Sequence, residues 1–139
     1  MRFILLFALS IFSISSYSKC WVVTNLHGYT SMSGDAYNYV EDGITGGVFK
    51  ITIDKASKTA SVFDTHSGYV GDMDYLPMSD NTVVGRYEAG GGITIETWSI
   101  TTDKKALYSK VMNLPGFQTL TSTKALVGDV VGTCDSDQQ

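Results

Sequence analysis

The chain has 139 residues, with 10 Lys+Arg against 14 Asp+Glu, a formal net charge of −4 and 43% apolar residues. That length supports one domain with a core of its own, and the apolar content excludes an intrinsically disordered chain. The acidic balance argues against nucleic acid and anionic membrane surfaces as partners, because both reward basic patches.

Residues 1–18 read as an export signal. Arg2 supplies the positive start, Phe3 to Phe12 an apolar run broken by Ser10, and Ser16-Tyr17-Ser18 the small residues before a cleavage point after Ser18. The run is about half the roughly 20 residues a spanning helix needs, so no membrane span is expected. Cys20 does not read as a lipid-attachment site, since the charged Lys19 precedes it. Taking 18 residues and one positive charge from 139 residues and −4 leaves 121 residues and −5. The expected product is a single all-β domain over 19–139, exported to the periplasm or secreted.

Along that domain the hydrophobic period is 2, with β-branched and aromatic residues between short Gly/Asp/Asn/Ser turns. Strands are expected at Trp21–Leu26, Ala36–Val40, Val48–Ile53, Thr59–Asp64, Tyr69–Tyr75, Thr82–Glu88, Ile93–Ile100, Ala106–Met112 and Ser122–Gly132. Tyr37 and Tyr39 fall on one face of the second. Asp54 to Lys58 turns one hairpin, and Ala89-Gly90-Gly91-Gly92 joins the clearest one, where consecutive glycines admit φ > 0. Pro77 and Pro115 stand between strands, where a missing N–H does no harm. Eight or nine strands with short connections imply one antiparallel meander.

Cys20 and Cys134 bracket the mature chain, with 113 residues between them. In an exported protein an even pair reads as one disulfide. Its Cα atoms must approach within about 7 Å, which makes the first and last strands neighbours. A closed barrel meets that requirement and leaves no exposed edges; a β-sandwich whose ends meet is the alternative.

Chemistry-bearing residues are sparse. Asp64 and His66 share a face of an extended strand, as do Asp72 and Asp74, and pairing of the two segments would gather three carboxylates and an imidazole for a metal or acid/base site. The ordinary alternative is a hairpin with a wet polar face, and no calcium-loop spacing is present. Ser67 beside His66 lacks the Gly-x-Ser-x-Gly elbow of a nucleophilic serine. Gly90-Gly91-Gly92 is not followed by the Lys-Ser/Thr of a phosphate loop, so it reads as a hairpin tip or as a loop that docks into a partner. His27 stands alone. Trp98 reads as core, whereas Tyr29 and Tyr37 lie near turns and suit an interface.

The phrases Trp21 to Gly28, Glu96 to Ile100 and Lys124 to Cys134 together resemble small exported bacterial proteins of unassigned function. Ser33-Gly34-Asp35-Ala36-Tyr37 is similar to the Ser-Gly-x-x-Tyr loop of the periplasmic lysozyme inhibitors, which are small β-barrels. That resemblance implies that Ser33 and Tyr37 would reach the catalytic carboxylates of a lysozyme cleft. The loop stands earlier in this chain than in that family, and the family's second motif, ending Thr-Lys-Gly, has no counterpart.

The resulting expectation is a non-catalytic exported β-barrel that binds a protein or a small apolar or glycan ligand through loops or the barrel mouth, with no cofactor. Its binding residues would be Ser33, Tyr37, Tyr29, Gly90, Gly91 and Gly92. The metal reading on Asp64, His66, Asp72 and Asp74 is the enzymatic alternative. Composition leaves the oligomeric state open.

Overall fold

The computed structural model describes residues 18–69 and 72–134. The export signal expected over residues 1–18 therefore falls, apart from Ser18, outside the described residues. Among the described residues ten strands follow in chain order: β1 (Lys19–Met32), β2 (Tyr39–Ile44), β3 (Phe49–Asp54), β4 (Thr59–Asp64), β5 (Gly68–Tyr69), β6 (Asp74–Pro77), β7 (Thr82–Ala89), β8 (Gly92–Ile100), β9 (Lys105–Asn113) and β10 (Ser122–Thr133). All pairings are antiparallel, in the order β5-β4-β3-β1-β10-β9-β8-β7-β6, and the sheet curls into a nearly closed barrel. At the seam β4 and β6 run close together, with no hydrogen-bonded ladder among the described residues.

The meander departs from a simple one at β1. Its first half, Lys19–Val23, pairs with β3, and its second half, Leu26–Ser31, pairs with β2, while β10 follows its other edge throughout. A bulge between Thr24 and His27 makes the bend that separates the halves. Asn25 sits there at φ 55 and donates from Nδ2 to Asp129 Oδ2 at 2.9 Å. Asn is among the few non-glycine residues that tolerate that conformation.

Two expected strands are revised. The segment 36–40 begins as a loop, because Ala36 and Tyr37 in succession take left-handed φ values of 53 and 60, which turn the chain. Tyr37 and Tyr39 therefore do not share a strand face. The segment 69–75 contributes to two strands: β5 closes a tight turn back onto β4, and β6 pairs with β7.

Cys20 and Cys134 form the disulfide, with Cα atoms 5.1 Å apart, and tie the start of β1 to the end of β10. Above this end, inward side chains of both barrel halves pack the interior: Val23, Leu26, Ile51, Ile53, Val62, Val83 and Ile100 are all buried. β3 shows the driving pattern plainly, with Phe49, Ile51 and Ile53 inside and Lys50 outside. Next along the axis lies an aromatic layer. The Trp98 ring stands 5.3 Å from Phe49 and 4.5 Å from Tyr108, centroid to centroid, and fills the mid-section.

Candidate functional site

Beyond the aromatic layer the interior turns polar. One cross-strand row places Tyr75, Gly85, Glu96, Lys110, Lys124 and Thr30 at facing positions of β6, β7, β8, β9, β10 and β1. Glu96 is 2% exposed. Its Oε1 accepts hydrogen bonds from the Tyr75 hydroxyl and from Trp98 Nε1 at 3.0 Å, and its Oε2 accepts from the Tyr108 hydroxyl at 3.1 Å. Lys110 Nζ stands 4.0 Å from Oε2, and Lys124 pairs with Asp42 of β2 at 2.6 Å.

Burial, reinforced by the Glu96 charge, pushes both phenols far above the ordinary tyrosine range. Tyr75 can lie against Glu96 because Gly85 leaves room: a Cβ there would meet Tyr75 Cε1 at 2.6 Å. The layer is fully bonded, and no described buried side-chain nitrogen or oxygen lacks a partner. It therefore acts as a floor.

On that floor stand three connections at the same end of the barrel. The first, residues 33–38, opens with a short 3-10 turn at Ser33–Asp35. The Tyr37 N–H donates to Met32 O at 2.9 Å, and the Ser31 hydroxyl donates to Tyr37 O at 2.8 Å. The second, residues 114–121, is two successive turns, closed by Phe117 N–H to Leu114 O and Leu120 N–H to Phe117 O. The third is the β7–β8 turn.

The first two are bonded to each other. Ser33 N–H donates to Thr121 O at 2.8 Å, and the Ser33 hydroxyl donates to Gln118 O at 2.5 Å. Gly92 backs onto the second connection, where a Cβ would lie 2.6 Å from Leu114 Cδ2. The resulting crown exposes Tyr37 on its first connection and Phe117 and Leu120 on its second, at 57%, 63% and 42%.

The expected binding residues are distributed as follows. Tyr37 stands at the crown surface on a fixed backbone. Ser33 belongs to the crown too, but its hydroxyl is directed at Gln118, so it braces the loop and is not the presented group. Gly90 and Gly91, at φ 59 and 76, make a tight two-residue hairpin turn, and Gly92 is the buried first residue of β8. Tyr29 lies elsewhere, on the outer face of β1.

The four residues of the metal reading do not assemble. Asp64 caps the β4–β5 turn, accepting His66 N–H at 2.9 Å and the Ser67 hydroxyl at 2.8 Å. Those bonds, the backbone one first, hold its carboxyl below the usual range. Asp72 and Asp74 line a shallow depression with Arg86, Tyr87 and Glu88, because β6 pairs with β7 and not with β5. Among the described residues no three His, Cys, Asp or Glu side chains stand close enough to hold a metal ion. No helix among them is long and apolar enough to cross a membrane.

The buried Glu96 is the residue that sequence patterning alone does not single out. A signal for it is present: Trp98 reads as core, and period 2 places Glu96 on the same face. Comparisons with protein families, with curated proteins and with solved structures find no match to this chain.

Proposed function

We propose that the protein is an exported, non-catalytic binding module that engages a protein partner through the crown of residues 33–38 and 114–121. The observation that carries this reading is the exposure of Tyr37, Phe117 and Leu120 on loops already tied to each other by backbone and Ser33 hydrogen bonds. Large apolar side chains on a pre-ordered backbone lose little freedom on binding, which is what an interface anchor requires. A small apolar ligand inside the barrel is disfavoured by the Phe49–Trp98–Tyr108 packing that fills its mid-section. Export is supported by the leader-like sequence of residues 1–18 and by the disulfide.

Paired capture from the exported fraction tests the proposal, using the wild-type chain and a Tyr37→Ser/Phe117→Ser variant. Partners retained by the first and lost by the second support it. Identical capture by both overturns the crown as the binding surface. A cell-wall lysis assay with purified lysozymes belongs beside it, since the Ser33–Tyr37 loop lies in the crown. Inhibition abolished by Tyr37→Ser would name the partner class.

A further inference from the structure

The outer face of the barrel across β8, β9, β10 and the second half of β1 is built unlike a solvated sheet surface. Three adjacent cross-strand rows cover it. The central row is Thr97, Ser109, Ala125 and Tyr29; one flank carries Leu107 and Val127, the other Ile95 and Val111. Their rows are completed by Ser99 and His27, and by Thr123 and Ser31, the last buried with its hydroxyl on Tyr37 O, so no Asp, Glu, Lys or Arg occupies any of the twelve positions. On β9 the usual alternation is broken at one point: Lys110 shares the inward face with Ala106 and Tyr108, while Leu107 and Val111 face outward, 46% and 52% exposed.

Small side chains of the central row, beside the Leu107–Val127 ridge, make a trough of about 580 Å³. Tyr29, 53% exposed, closes one end of it.

The geometry points to a second copy of this chain as the occupant, packed face to face across a two-fold axis. A ridge such as Leu107–Val127 beside a trough floored by Ser109 and Ala125 is self-complementary, because each copy offers what the other needs. The charge pattern agrees. The chain is acidic, and this face is where two copies can meet without apposing like charges. Charged groups begin only at the rim, with Glu41 opposite Tyr29 on β2 and Arg86 opposite Ile95 on β7. The rim cations Arg86 and Lys105 are each paired within their own chain, to Glu88 at 2.6 Å and to Asp129 at 2.7 Å, so neither selects an acidic foreign partner.

The area also suffices. The exposed parts of Tyr29, Ile95, Leu107, Val111 and Val127 offer on the order of 500 Å² per copy, the size of the largest patch on a typical monomer. Two copies would bury roughly 1,000 Å², enough for a weak specific dimer.

Sedimentation velocity of the purified, disulfide-bonded protein over a wide concentration range tests the inference. The expected result is a dimer whose fraction rises with concentration, with a Kd on the order of micromolar. Leu107→Lys and, separately, Val111→Lys should leave a monomer at every concentration. Each must retain a cooperative thermal transition, as befits an exposed position. Tyr37→Ser/Phe117→Ser should dimerise like the wild type, which separates this face from the crown. A wild-type monomer throughout, a dimer that survives both lysine variants, or a dimer lost in the crown variant each overturns the inference. Binding of a monomeric wild type to neutral phosphatidylcholine vesicles would assign the face to a lipid surface and overturn it equally.

Discussion

Replacing Glu96 should divide the energetics of the barrel interior into separable parts. In Glu96→Ala, three donors lose their acceptor at once: the Tyr75 hydroxyl, Trp98 Nε1 and the Tyr108 hydroxyl. An orphaned buried donor costs about 1–3 kcal/mol, and a small cavity adds to the total. Water entering from the crown side offsets part of this. The expected loss is about 4 kcal/mol, in line with breaking a buried polar network by removing one partner. Glu96→Gln keeps an oxygen for Tyr75 and Trp98, forces Tyr108 to redirect, and gives up the ion pair with the partly solvated Lys110. Three bonds lose charge assistance, about 1 kcal/mol each, but the side chain no longer carries a charge out of water, so the net cost is about 1 kcal/mol. Glu96→Leu fills the volume yet orphans the same donors, and should fall nearer Ala than Gln. Urea unfolding followed by tryptophan fluorescence measures all three, with an unchanged slope certifying the comparison. Glu96→Ala within about 1 kcal/mol of wild type, or equal to Glu96→Gln, would refute the claim that this carboxylate satisfies the layer.

Further outcomes follow from the same geometry. Tyr75 and Tyr108 have raised pKa values in the folded chain, so the native state keeps two protons that the unfolded state releases above about pH 10. Their contribution is complete below that pH and is lost above it, at about 2.7 kcal/mol per pH unit for the pair. Tyrosinate absorbance should show two phenols that ionise only on unfolding; full ionisation with the fold intact would contradict their burial. Removing the disulfide by Cys20→Ser/Cys134→Ser should cost up to about 4.7 kcal/mol in the chain-entropy model, because it opens a loop of more than 100 residues. Differential scanning calorimetry should find the melting temperature lower by more than about 10 °C, and an unchanged value would deny the bond a stabilising role. Gly28→Ala would set a Cβ 2.1 Å from Ala125 O, a backbone atom of the partner strand, so the β1–β10 ladder must part locally. In Gly85→Ala the atoms nearest the new Cβ belong to the Tyr75 and Met73 side chains and not to backbone, so it should cost about 1–3 kcal/mol and less than Gly28→Ala in the same denaturation assay.

Much of the fold is legible in the sequence because a β-barrel writes itself as alternation. Phe49, Ile51 and Ile53 alternate with Lys50 and Thr52, and the two cysteines state which strands meet. Legibility fails where a local conformation overrides the pattern. Ala36 and Tyr37 look like strand residues, but both hold positive φ inside a loop whose bonds to Met32 and Ser31 repay that strain. β1 continues to Met32 through Asn25, His27 and Gly28, whose polar and small side chains hide its period from a hydrophobic scan. The candidate site was less legible for a different reason. Ser33 and Tyr37 are recognisable by type, yet only the fold bonds Ser33 to Gln118, 85 positions away. On β9 the inward position of Lys110 contradicts the default that lysine faces water, and only Glu96 opposite it explains the exception.

The polar floor and the crown above it have a mechanical connection. Apolar packing resists separation of strands but is indifferent to direction, so a core of Val, Ile and Leu alone tolerates small shifts between them. Hydrogen bonds to Glu96 come from β6, β8 and β9, and the Lys124–Asp42 pair joins β10 to β2. A one-residue slip of β9 would turn Tyr108 and Lys110 outward and leave the Glu96 carboxylate without two of its neighbours. The floor therefore fixes strand register just where the strands end and the connections 33–38 and 114–121 begin. Loops leaving strands of fixed register inherit a fixed separation, and the Ser33–Gln118 bond at 2.5 Å depends on that separation. A charge-neutralising change at Glu96 should accordingly leave Tyr37 and Phe117 in place, whereas a change that frees the strands should loosen the crown before the barrel itself unfolds. Hydrogen exchange of the Ser33 and Leu120 amides, compared between Glu96→Gln and Glu96→Ala under native conditions, distinguishes the two: protection kept in the first and lost in the second is the expected outcome, and equal protection in both would uncouple the floor from the crown.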